Sequence, residues 1–260
     1  MEPRSENPLV LVPGIQGRWE FMQPTVDALS RDFRPLPFSL RDDARSLDDY
    51  ARQVSDTLDA AGVERAVIVG VSFGGLVALR FAAQHPSRTT ALVLASTPGP
   101  GFTLRPRHRI YARLPWIFGP LFLLESPWRL RREVAAAIPD GRGRRALRRS
   151  TIATACRARL SLSAMARRAL LMTSFDVTPD CSRVTAPTLV VTGERDLDFV
   201  VPAEGSIAYR HLIAGARASV LERTGHIGTV TRPDAFASLV RDFVDPATRN
   251  STLGTPNAAA

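Results

Sequence analysis

The sequence predicts an α/β fold: a mostly parallel sheet covered by helices on both faces, with an inserted helical cap. Three observations carry this. Short uncharged runs rich in Val, Ile and Leu alternate with helical patterns of about a dozen residues, as strands joined by crossover helices do. The rhythm stops between residues 101 and 179, which are apolar, rich in arginine and free of strand signals. One strand-like run also passes straight into Gly70-Val71-Ser72-Phe73-Gly74 and then into a helix. These breaks divide the chain into an N-terminal core part (1–100), the helical segment (101–179), a C-terminal core part (180–245) and a polar, non-periodic tail (246–260), read as disordered.

Taken in order, Pro8–Val12 is an apolar strand that ends in Pro13-Gly14-Ile15-Gln16-Gly17, a loop with exposed backbone N–H groups. A helix is expected from Phe21 to Ser30. Arg34–Phe38 is a short strand whose two prolines suit a sheet edge. Ser46 caps the next helix, with Asp48 and Asp49 in its first turn; Leu47, Tyr50, Ala51, Val54 and Leu58 mark its apolar face, and Gly62 ends it. Ala66–Val69 is uncharged and largely β-branched, as a strand buried on both faces should be. It meets Ser72 at a turn so tight that only small residues fit at 70 and 74. The helix beyond it stops at Pro86. Strands follow at Ala91–Ala95, Ala186–Thr192 and Ala218–Leu221, with a helix from Pro202 to about Ile213 and a last one from Pro233 to about Val244.

Charge and cysteine content narrow the possible classes. The 260 residues carry a net charge of +9, and every basic residue is arginine. Between Arg105 and Arg168, sixteen arginines stand against Glu125, Glu133 and Asp140, so the positive charge belongs to one segment. No aromatic–basic platform accompanies it, and no nucleic-acid partner is expected. A solvated helical face is the favoured reading of Arg142, Arg144, Arg145, Arg148 and Arg149, ahead of an anionic substrate or a membrane surface. Cys156 and Cys181 lack metal-ligand spacing, no basic-then-apolar leader opens the chain, and no apolar run approaches membrane-spanning length, so a cytoplasmic protein is expected.

Three strand ends offer chemical groups in the order Ser72, Asp196 or Asp198, and His226. In a parallel sheet the C-terminal strand ends share one edge, where ligands bind, so these groups can meet. Ser72 needs an imidazole to take its proton, and that imidazole needs a carboxylate to fix its tautomer. Here the sequence resembles the α/β-hydrolase family, in which triad residues follow this order. The resemblance covers about Pro8 to Asp245, with residues 101–179 matching only as a variable cap. It implies Ser72 as nucleophile and His226 as base, with two candidates for the acid. Asp196 has the family's spacing from Gly193, whereas Asp198 has its spacing to Val201-Pro202. The backbone N–H groups of Phe73 and Ile15 would form the oxyanion hole; Pro13 stands where the family usually has a histidine.

The apolar run Leu114–Leu124 would wall an acyl or aryl pocket through Trp116, Phe118 and Phe122, or form the cap's own small core. The expected activity is hydrolysis of a carboxylic ester with a short or medium acyl chain, with no metal and no organic cofactor. Hydrolysis of a C–C bond or thioester and acyl transfer would use the same triad. A non-catalytic binder of small molecules or anionic surfaces is the reading from another class.

Overall fold

The computed structural model describes residues 7–245; the tail from residue 246 lies outside the described residues. Six strands, β1 (Pro8–Val12), β2 (Arg34–Pro37), β3 (Ala66–Val71), β4 (Thr89–Ala95), β5 (Thr188–Thr192) and β6 (Arg217–Val220), form one sheet in the order β2-β1-β3-β4-β5-β6. Every neighbouring pair is parallel. Helices α1 (Gln23–Leu29), α2 (Leu47–Ala60) and α3 (Phe73–Gln84) follow the first three strands. Between β4 and β5 lie α4 (Pro106–Arg113), α5 (Pro115–Arg129), α6 (Arg131–Ala137), α7 (Gly141–Arg157), α8 (Leu162–Ser174) and α9 (Thr178–Cys181). The short α10 (Ala203–Ile207) and α11 (Tyr209–Leu212) precede β6, and α12 (Gly228–Thr231) and α13 (Pro233–Val244) follow it.

Alternation along the strands sorts the core into two layers. Val10, Val12, Ile68, Leu92, Leu94 and Val190 pack beneath α2 and α3, against Tyr50, Val54, Leu58, Val77 and Phe81. Their neighbours Leu9, Leu11, Val67, Val69, Val93 and Val191 pack on the other face against Leu29 of α1 and Phe236, Val240 and Phe243 of α13. Each fully buried side chain of this size contributes about 1.5–3 kcal/mol of transfer free energy, so the central strands anchor the sheet. The proline-marked β2 is an edge strand, as expected. Ser46 accepts from the Asp49 N–H (3.1 Å) while the Asp49 carboxylate accepts from the Ser46 N–H (3.0 Å), a reciprocal cap on α2.

Two helices differ from expectation. The one expected from Phe21 begins instead as a 3-10 turn (Trp19–Met22), and α1 starts at Gln23 with Pro24 in its first turn, where the missing N–H costs nothing. The one expected from Pro202 is split at Ala208 into α10 and α11. Each half is tied separately to the loop after β4: Ser206 Oγ donates to the Thr97 carbonyl (2.6 Å) and Tyr209 OH to the Pro98 carbonyl (2.6 Å).

The chain leaves β1 for β2 on one side and β3 for β4 on the other, so the order reverses between β1 and β3. At that switch point the loop after β1 and the turn after β3 meet at the C-terminal sheet edge, and α4–α8 cover them.

Candidate active site

Ser72 sits between β3 and α3 with φ 55° and ψ −121°, in a region that costs a non-glycine residue about 1–3 kcal/mol. Its N–H donates to the Ala95 carbonyl (2.8 Å), which locks the turn to the neighbouring strand. The turn is tight because its glycines are in backbone contact. A Cβ at Gly70 would run into the Gly74 carbonyl, and one at Gly74 into the Val12 carbonyl. The hydroxyl is thereby raised at the N-terminus of a twelve-residue helix, whose partial positive charge favours developing negative charge.

His226 Nε2 lies 3.1 Å from Ser72 Oγ, and its Nδ1 lies 3.4 Å from Asp198 Oδ2. This fits a proton on Nδ1 donated to Asp198, leaving Nε2 free to accept from the serine hydroxyl. The second Asp198 oxygen accepts from the N–H groups of Val200 and Val201 (2.9 Å each), so the carboxylate is oriented as well as buried. Asp196 is exposed. The loop after β5 coils on itself, with the N–H groups of Leu197 and Asp198 both donating to the Glu194 carbonyl, and this turn carries Asp196 outward. Of the two acids, the fold brings Asp198 alone to the imidazole.

Two buried carboxyls flank the imidazole. Glu133, from α6, is 2% exposed; its Oε1 accepts from the Ile227 N–H (3.3 Å) and its Oε2 has no partner. Gly225 makes room for it, since a Cβ there would collide with Glu133 Oε2. Burial pushes the Glu133 carboxyl up to about 7, with Asp198 adding to the shift and His226 opposing it. For His226 burial is the largest influence and acts downward. The Asp198 charge and hydrogen bond, helped by Glu133, outweigh it and raise the imidazole above its ordinary value. Sequence reasoning counted Glu133 only as an acid among arginines, and nothing in its neighbours marks it as reaching the sheet edge.

Ile15 lines the cavity beside Ser72. The Phe73 side chain is fully buried edge-on against Tyr50 (5.2 Å), leaving its N–H at the first helical position, where no intrahelical acceptor exists. The loop carrying Ile15 is pinned from α8 by Arg168, a completely buried arginine. Its guanidinium donates to the carbonyls of Ile15 (3.1 Å), Leu40 (3.2 Å) and Arg41 (3.2 Å), to Tyr50 OH (3.1 Å) and to the Asp42 carboxylate (3.1 Å). Sequence reasoning placed Arg168 among the cap's arginines. Its helical phase with Ala164, Ala169 and Met172 was a signal that it faces inward.

The cavity above Ser72, His226 and Asp198 measures about 520 Å³ and is walled mainly by apolar side chains, among them Phe102, Leu104, Phe122, Leu162, Met165 and Met172. Phe122 is the one member of the expected aromatic wall that lines it. Trp116 is corrected: it points away, 78% exposed. Phe118 also departs from expectation and stacks on Tyr111 (5.3 Å). The reason is that α5 runs unbroken past Gly119 and Pro120, so an apolar run on all sides of a helix presents only one side to the cavity. His108 also lines the cavity; burial, with Arg129, Arg107 and Arg105 around it, lowers its pKa to about 4 and keeps it neutral.

Residues 9–239 match the model of the alpha/beta hydrolase family, and the chain belongs to that family. A protein of Stutzerimonas stutzeri named "Putative carbamate hydrolase RutD" is 24% identical, over 94% of this chain and 93% of its own. Among solved structures, an enol-lactonase from Burkholderia xenovorans superposes with a TM-score of 0.72 (22% identity; 92% of each chain). An esterase from Exiguobacterium antarcticum gives 0.76 (18% identity; 93% of each chain). At these identities the likeness is one of fold.

Proposed function

We propose that the protein is a serine hydrolase of carboxylic esters with short or medium acyl chains, acting through an acyl-enzyme on Ser72. The observation that carries the reading is the continuous relay from Ser72 Oγ to His226 to Asp198 at the floor of an apolar cavity. His226 Nε2 takes the hydroxyl proton as Oγ attacks the ester carbonyl, and Asp198 stabilises the imidazolium. The N–H groups of Phe73 and Ile15 hold the oxyanion. As the tetrahedral adduct collapses, His226 returns the proton to the departing alkoxide. Water, deprotonated by the same imidazole, then releases the acid and restores Ser72.

A carbamate is the second reading, favoured by the name of the Stutzerimonas relative. The same residues would cleave it through a carbamyl-enzyme. Turnover of p-nitrophenyl esters from acetate to decanoate, alongside an N-unsubstituted aryl carbamate, tests both. Esters of medium chain length are expected to give the highest kcat/KM, and Ser72→Ala to abolish it. A carbamate turned over at least about tenfold faster than every ester, a difference of about 1.4 kcal/mol in transition-state stabilisation, overturns the ester assignment and favours the second reading.

A further inference from the structure

We propose that the outward face of α5 is a docking surface for an anionic lipid bilayer. Around the helix, every exposed position, Trp116, Ile117, Pro120, Leu121, Leu124, Pro127 and Trp128, is apolar. Trp116 and Leu124 are 78% and 77% exposed, and Ile117 and Trp128 are 66% exposed. The polar residues of the same helix are turned inward. Glu125 accepts from Tyr111 OH (3.1 Å) and pairs with Arg107 (3.2 Å), while Arg129 donates to Ser126 Oγ (2.9 Å). The helix therefore turns no polar residue to water, and a folded chain presents such an apolar face where something covers it. Leu114, just before the helix, is exposed as well.

Charge selects the occupant. Exposed arginines flank α5 in the chain, Arg109 and Arg113 on α4 before it and Arg131 and Arg132 on α6 after it, the last lying over the Phe199 ring (5.3 Å). The Arg131 guanidinium lies over the exposed Trp128 ring at 4.2 Å. Of the three acids between Arg105 and Arg168, Glu125 is turned inward, Glu133 is buried beside His226, and only Asp140 is exposed, capping α7. A second copy of this chain would have to bring two such cationic rims together. Anionic headgroups would neutralise the rim while acyl chains receive the apolar stripe. At about 1.5 Å per residue the fifteen-residue helix lies along roughly 22 Å of surface with a tryptophan near each end. No helix of the described residues is long and apolar enough to cross a membrane, which fits a helix lying in the interface. The opposite side of α5 supplies Pro115, Gly119, Phe122 and Arg129 to the cavity wall, so docking would hold that cavity one helix diameter from the lipid. The inference does not depend on Ser72 being a nucleophile.

Flotation of the full chain with vesicles of phosphatidylglycerol and phosphatidylcholine, against phosphatidylcholine alone, tests it. Binding is expected to the anionic vesicles, weakened by salt, unchanged in Ser72→Ala and reduced about tenfold or more in Leu124→Gln with Trp128→Gln. Those sites are exposed, and circular dichroism checks that the variant is folded. Absence of binding to anionic vesicles overturns the proposal, as does binding that the double variant retains in full. A dimer in light scattering that the same double variant dissolves also overturns it and assigns the face to a second copy.

Discussion

Asp198 is the residue on which the reading of the site turns. Both of its oxygens are committed, one to His226 and one to the N–H groups of Val200 and Val201. Asn at this position would keep the backbone contacts and reverse the tautomer preference of the imidazole. Asp198→Asn is therefore expected to lower kcat on the order of 10⁴-fold, and Asp196→Asn to leave it within about twofold. Equal effects in steady-state assays would contradict the assignment. Glu133 acts on the same imidazole as a positioning charge. Its carboxylate helps raise His226, so Glu133→Gln should move the acid limb of kcat/KM to lower pH; an unmoved limb would contradict that coupling. Stability should respond in a linked way. The folded Glu133 holds its proton up to about 7, against 4.5 in an unfolded chain, so ionising it in place costs the native state about 3 kcal/mol, a cost that grows from pH 4.5 to 7 and is constant above. His226, raised in the fold, adds stability below its unfolded value that is lost as pH rises through its folded one. Urea midpoints of the wild type should thus fall through neutrality, and those of Glu133→Gln should fall less.

At the scale of elements, α8 and the loop after β1 are one unit because Arg168 joins them. Replacing it with Met would leave the carbonyls of Ile15, Leu40 and Arg41 without their buried donor. A loss of about 3–5 kcal/mol is expected for Arg168→Met in denaturant titrations. A loss below about 1 kcal/mol would mean water replaces the guanidinium. Here the sequence was informative about local geometry and silent about partners. The turn at Ser72 was legible because close backbone approach at Gly70 and Gly74 admits only small residues, and the cap at Ser46 because its chemistry is local. The acid was ambiguous because spacing from the strand and spacing to the helix disagree when a loop coils by two extra residues. Arg168 and Glu133 were missed because their partners lie more than ninety positions away in the chain.

At the scale of the whole molecule, the alternation of apolar strands and helices predicted the layered parallel sheet and the edge on which the functional groups meet. Those patterns repeat, and burial on both faces leaves few alternatives. The segment over the site was legible only as helical. Periodicity says which residues share a face of α5, yet with every face apolar it cannot say which one turns to the cavity, so Trp116 was read inward. The fold also explains why sixteen of the thirty-four arginines in one segment leave the cavity mainly apolar: α7 buries none of its residues and holds most of its arginines in solvent, Arg168 is spent on internal partners, and of the sixteen only Arg105 and Arg129 reach the cavity wall. Cys156 and Cys181 are both free, and burial pushes the Cys181 thiol up to about 12, which leaves it no part in nucleophilic chemistry.

The central claim is that Ser72 is a nucleophile activated by His226, and covalent capture tests it most directly. The folded protein would be treated with a fluorophosphonate, digested and mapped by mass spectrometry, beside Ser72→Ala and His226→Ala. A single adduct on the peptide carrying Ser72, absent in the first variant and strongly slowed in the second, is the predicted result. A wild type that stays unlabelled, or an adduct on another residue that persists in Ser72→Ala, would contradict the account.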